Sequence, residues 1–168
     1  MNLTLVKEND AILQEPCDDW DFQVDGSPAE LVKEMARLMF LHNGIGLAAP
    51  QCGVKKRIFI MGNQDELTAC INPKIVSVSD QRIMGEEGCL SFPGLWLKVK
   101  RPASATVSYQ NTLGETKEET LYGLRARIFL HEFDHLMGIT FDQRVGNLSL
   151  KLATERRKKR ERKIKKPA

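Results

Sequence analysis

A chain of 168 residues and 19.0 kDa, 42% hydrophobic and 28% charged with 12 glycines along its length, can bury one core without staples. It is neither collagen-like nor low-complexity nor generally disordered. The net charge of +3 conceals a split: ten of the 25 basic residues and two of the 22 acidic ones fall in 151–168, so that segment carries +8 and residues 1–150 carry −5, a pattern suited to a polyanion contact grafted onto an acidic domain.

Apolar runs such as 45–49 and 57–61 are far below the roughly 20 residues of a membrane helix. The first 15 residues carry Lys7, Glu8 and Asp10 where a secretory leader needs an apolar core, so the expectation is a cytosolic protein with no membrane partner. Four scattered cysteines, Cys17, Cys52, Cys70 and Cys89, include no CxxC pair and read as reduced thiols, one of them a candidate ligand.

In chain order, Ser27-Pro28-Ala29-Glu30 has the form of a capping box. Leu31, Met35, Leu38 and Met39 follow at helical spacing, and Asn43-Gly44 tolerates a left-handed end, so a helix is predicted over 28–42. Strands are predicted at 57–61, 69–75, 87–90, 96–100 and 103–110. A hairpin turn at Asn111-Thr112-Leu113-Gly114 leads to a return strand over 115–121. Leu124, Ile128, His131, His135 and Leu136 share one face of a second helix over 122–137, and a third, basic and frayed by like-charge repulsion, is expected over 151–166. The order of elements implies an α+β domain, short antiparallel sheets around a central helix, with 1–150 as the domain and 151–168 as its tail.

His131-Glu132-Phe133-Asp134-His135 is an HExxH arrangement. Positions i and i+4 of a helix lie on one face, so both imidazoles reach one metal while Glu132 approaches its water. The plain alternative is two packed histidines and a chance glutamate, but two of the chain's three histidines sit here. A catalytic site needs a third protein ligand and one open position. The metzincin position for a third histidine holds Phe141, and no histidine lies downstream. Asp142 and Glu155 are candidates in principle; Cys89 is the stronger, since a thiolate binds Zn²⁺ or Fe²⁺ readily. Cys89 follows Gly88 in EGCLS, 87–91, where a residue without a side chain lets backbone approach a substrate closely. GIGLAAPQ, 44–51, reads either as a helix cap with a packed turn or as a small-residue loop against which a peptide can lie, including at Gly46, with Gln51 offering an amide to an oxyanion.

Together, GIGLAAPQ, EGCLS and HEFDH, in that order, resemble the three signature motifs of the peptide deformylases, and the likeness continues through Val99-Lys100-Arg101-Pro102 and Gly123-Leu124-Arg125-Ala126-Arg127, covering about 3–145. The resemblance implies removal of the N-formyl group from the N-terminal formylmethionine of nascent polypeptides. It implies Cys89, His131 and His135 as metal ligands, Glu132 as general acid and base, and Gln51 with the Leu90 N–H as oxyanion donors. It also implies one divalent ion, Fe²⁺, with Ni²⁺, Co²⁺ or Zn²⁺ able to substitute, and a monomer. Ile45, Leu124 and Ile128 are candidates for the methionine slot, the last two also candidates for plain core. Arg101 and Asp134, at matching family positions, are expected to pair behind the ligands. Two residues depart from the family pattern: Leu130 stands where glutamine is usual, and Cys52 where an aliphatic residue is.

Two rival readings are also open to this sequence. One is a nucleic-acid-binding module with a structural metal, which would need a fourth ligand and has no use for Glu132. The other is a metallopeptidase acting on internal bonds. In bacterial members of the resembled family a C-terminal helix helps dock the enzyme at the ribosome, a role the basic tail could fill by phosphate contacts, or the tail is simply a solvated charge run.

Overall fold

A computed structural model describes residues 2–165. Helix α1 (Ala29–Leu41) is followed by strands β1 (Gly46–Ala48), β2 (Ile58–Gly62), β3 (Leu67–Val78), β4 (Arg82–Cys89), β5 (Phe92–Pro102), β6 (Ser104–Gln110) and β7 (Thr116–Tyr122), then helices α2 (Gly123–Leu136) and α3 (Asn147–Ile164). All paired strands are antiparallel. β1-β2-β3-β6-β7 form one sheet, and β4 with β5 forms a separate hairpin. This is the expected α+β architecture, with α2 lying against β1, β2, β7 and β5.

The core follows from the sequence periods. On β5, Leu95, Leu97, Val99 and Arg101 alternate inward, as a period of two requires. Leu97 and Val99 join Leu13, Phe92, Phe141 and Ala153 in one apolar cluster, which fixes the hairpin to α3. Phe129 of α2 meets Phe59 of β2 edge to face, ring centroids 5.0 Å apart, beside Val107 and Leu121. Aromatic pairs in this geometry contribute about 0.5–1.5 kcal/mol beyond area burial. Leu130 is buried in the same cluster, so its departure from the family pattern acts as packing.

Several expectations need correction. The capping box at Ser27 does not form: Pro28 is the N-cap, and Ser27 Oγ accepts only from the Ala29 N–H at 3.3 Å. Segment 44–51 is no loop, since it contains edge strand β1 and a 3₁₀ turn, Ala49–Cys52. β4 and β5 are longer than the four- and five-residue strands expected, because a tight Leu90–Ser91 turn lets their whole lengths pair. α3 starts at Asn147, before the basic run, and is not left frayed. Ala153 is buried, Arg157 pairs with Glu8 at 2.8 Å, and Arg160 donates to the Gly94 carbonyl at 2.7 Å. Lys166, part of the expected third helix, lies outside the described residues.

Candidate metal centre and cleft

α2 carries His131 and His135 one turn apart, their ring centroids 5.2 Å from each other, and the end of β4 brings Cys89 to them. Cys89 Sγ lies 3.3 Å from His135 Nε2, and the ligand atoms of all three residues fall within 4.8 Å of one another. Two ligands on a tetrahedral ion at ordinary metal–sulfur and metal–nitrogen lengths stand roughly 3.5 Å apart, so the donor set fits a divalent cation. Asp142 and Glu155, the alternative third ligands, are not part of this group.

Electrostatics separates the two imidazoles. Burial disfavours a charged His131 ring, yet hydrogen bonds to Cys89 and Glu87 outweigh it and raise its pKa to about 10, so this position attracts positive charge. His135 is driven the other way by burial and by His131, which keeps its imidazole neutral, the form that ligates metals. Its Nδ1 and the Oε2 of Glu132 are buried and unpartnered among the described residues. Burial raises the Glu132 carboxyl to about 7.

Glu87 was missed as a functional residue although it stands in EGCLS. Two residues before Cys89 on β4, its carboxylate receives His131 Nδ1 at 2.9 Å, two Arg101 nitrogens at 2.9 and 3.0 Å, and Arg127 at 2.8 Å. Burial opposes its charge, but these partners prevail and lower its pKa to about 2. This bond aims the other ring nitrogen of His131 at the ligand group. Arg101 Nη1 also lies 2.6 Å from Asp134 Oδ2, and Arg144 donates to both carboxylate oxygens of Asp134 through Nε and Nη2. A buried arginine at an inward β5 position requires an acid, which is the signal that would have exposed Glu87. Arg127 further holds the hairpin by donating to the carbonyls of Ile83, Gly85 and Val99.

Gln51 is buried. Its Oε1 accepts from the Ala48 N–H at 2.9 Å, leaving Nε2 to face Cys89 Sγ and Ser91 Oγ, each at 3.3 Å. Leu90 begins the β4–β5 turn beside it. A cleft of about 540 Å³ opens over these groups, lined by Ile45, Gly46, Gly88, Leu90, Leu124 and Ile128 among others. Leu124 is 63% exposed, so it is not core; Ile128 is partly buried against the core. A Cβ on Gly46 would collide with the Glu132 carboxylate, and one on Gly88 would lie 2.8 Å from the Trp96 ring, so both positions require glycine. Cys52, although near Gln51 in sequence, is buried, and burial pushes its thiol up to about 12, which leaves it unreactive.

Residues 2–151 match the family model for polypeptide deformylase. The peptide deformylase of Thermotoga petrophila is 41% identical over 122 residues, covering 73% of this chain and 74% of that one. A peptide deformylase structure from Legionella pneumophila superposes with a TM-score of 0.87 at 32% identity, covering 99% of this chain and all of the other. The Synechococcus elongatus peptide deformylase in complex with actinonin superposes with a TM-score of 0.86 at 35% identity, covering 92% and 85%. With its Cys-His-His metal site at the meeting of hairpin and helix, the chain belongs to the peptide deformylase family.

Proposed function

We propose that the deformylase reaction, hydrolysis of the N-formyl group from the N-terminal formylmethionine of a nascent polypeptide with release of formate, is carried out here by Glu132 as general acid and base. Gln51 and the Leu90 N–H serve as donors to the oxyanion. The observation that supports this most is the meeting of a three-residue ligand set, an unpartnered buried carboxylate and an oriented amide at the floor of one cleft.

Cys89, His131 and His135 would hold a divalent ion, which would supply an acidified water, its pKa lowered from about 15.7 toward 7, and a Lewis acid for the carbonyl oxygen. Glu132, adjacent in sequence to one ligand and buried with a free carboxylate oxygen, takes a proton as attack proceeds and returns it to the departing amine nitrogen. Gln51 needs no reorganisation, because the Ala48 N–H already holds its carbonyl; one such donor contributes about 2.7–4 kcal/mol to the transition state. A formyl carbon bears only hydrogen, and the close approach of Gly46, Ile128 and Glu132 disfavours a bulkier acyl group. Ile45, Leu124 and Ile128 offer apolar surface for the methionine side chain.

Fe²⁺ is the proposed occupant, with Ni²⁺, Co²⁺ or Zn²⁺ able to replace it, since two imidazoles and a thiolate accept all four. Protein prepared anaerobically, with metal content measured on the same sample, is expected to release formate from formyl-Met peptides and to leave unformylated peptides intact. Cleavage of internal bonds, or turnover untouched by exhaustive chelation, would overturn the reading.

Residues 1–150 form the catalytic unit of this proposal, acting as a cytosolic monomer, and 151–168 its contact with ribosomal phosphates. No helix of the described residues is long and apolar enough to cross a membrane. Changing the exposed Lys158, Lys159 and Arg162 to Glu is expected to weaken low-salt cosedimentation with ribosomes; undiminished sedimentation would exclude the docking role.

A further inference from the structure

The cleft has a neighbour that the reaction does not use. A depression of about 220 Å³ is lined by Glu86, Trp96, Ala153, Arg156 and Arg160, and Glu86 and Trp96 also line the cleft over the ligand group. On α3, Ala153, Arg156 and Arg160 follow at spacings of three and four and so share one helix face. Ala153 is the buried contact that seats this face on the hairpin, and its small side chain leaves the space open. The Arg157–Glu8 pair and the Arg160–Gly94 bond hold the helix in register.

Among the described residues neither guanidinium group has an acid partner. Arg156 makes no hydrogen bond or ion pair among the described residues, and Arg160 donates only to a backbone carbonyl. Glu86 faces the same depression but pairs with neither, so two positive charges meet one negative. Trp96, 51% exposed, stands opposite Gly88, one residue from Cys89, with its ring against that glycine. An extended peptide advances about 3.3 Å per residue. Because Glu86 and Trp96 line both spaces, a chain whose formyl end is at Cys89 and Glu132 and which leaves the cleft on this side passes the Trp96 ring before it meets the arginines.

We propose that Arg156 and Arg160, beside the Trp96 ring, form a seat for an acidic side chain in the third or fourth residue of the formylated peptide. The seat gives the enzyme a preference among nascent chains beyond methionine itself. Guanidinium suits this role because its planar fork grips a carboxylate through two hydrogen bonds. The inference rests on the deformylase reading, and formate release from formyl-Met-Ala, too short to reach the seat, tests that reading separately.

The decisive measurement is the ratio of kcat/KM for formyl-Met tetrapeptides carrying Glu against the same peptides carrying Gln, with the acid placed third in one series and fourth in another. At low ionic strength the ratio is expected to be about three- to fivefold in at least one series, as solvent-exposed ion pairs allow, and to fall with added salt. The double variant R156Q/R160Q should bring the ratio to about one, and R156E/R160E should make Lys peptides the better substrates. A ratio of one in both series for the intact protein, or a preference that survives both variants, overturns the proposal. Failure with formyl-Met-Ala would instead overturn the underlying reading.

Discussion

The charges behind the metal ligands and the charges along α3 make opposite use of the same residue types. Glu87, Arg101 and Asp134 are nearly solvent-free, and each meets at least two partners. On α3 most basic side chains point into water, and only Arg157 has a carboxylate partner among the described residues. In the first region a charge is expensive to bury and must be completely satisfied, so removing one member leaves another stranded. In the second, solvent screens each charge and a single loss changes little. Position in the fold, rather than the count of ion pairs, decides what a charge contributes.

The largest expected effect lies at the group the buried network surrounds. Glu132→Gln should reduce kcat for formate release about 10²–10⁴-fold while the bound metal stays, as metal analysis of the purified variant would show. Loss of metal together with activity would instead make Glu132 a structural residue. Gln51→Ala should lower kcat by about 10²–10³-fold with little change in KM; a rise in KM at constant kcat would place the amide in ground-state binding.

Arg101→Ala sharpens the contrast directly. It leaves Glu87 with Arg127 and His131, and Asp134 with Arg144, so the cost should fall near about 3 kcal/mol, the lower end for a broken buried pair. Denaturant unfolding would read that loss. Metal affinity should also fall about 10- to 100-fold, because Glu87 orients His131; unchanged affinity and activity would remove Arg101 from the positioning of the ligands. The smallest effect is expected for Arg157→Gln, at most about 1 kcal/mol and decreasing with salt. A loss as large as that of Arg101→Ala would end the distinction between the two regions.

Much of this site could be read in the chain without coordinates because its determinants are local. HExxH on a helix places two imidazoles on one face through the 3.6-residue repeat alone, and the family motifs added Cys89, Gln51 and Leu90 by position. The capping of α1, the strand within 44–51, the full length of the β4–β5 hairpin and the ordering of α3 were not legible. The strand and the ordered helix depend on partners distant in sequence: β2 for β1, Glu8 for Arg157, the Phe92–Leu97–Phe141 cluster for Ala153. Glu87 belongs with these, since nothing in a Glu-Gly-Cys sequence says that Arg101 of β5 and Arg127 and His131 of α2 will converge on that carboxylate.

By itself the amino-acid sequence determined the α+β class, the two imidazoles with their adjacent acid, the candidate thiolate and the concentration of positive charge in 151–168, all of which follow from periodicity and composition. Only the tertiary structure decided that Cys89 reaches His135, that Glu87 is the buried acid behind His131, and that α3 lies along the hairpin with two arginines facing a spur of the cleft. The reason is physical: side-chain chemistry and helical or strand period are properties of neighbouring residues, whereas burial, and with it the strength of a charge, is created by segments that meet only when the chain has folded.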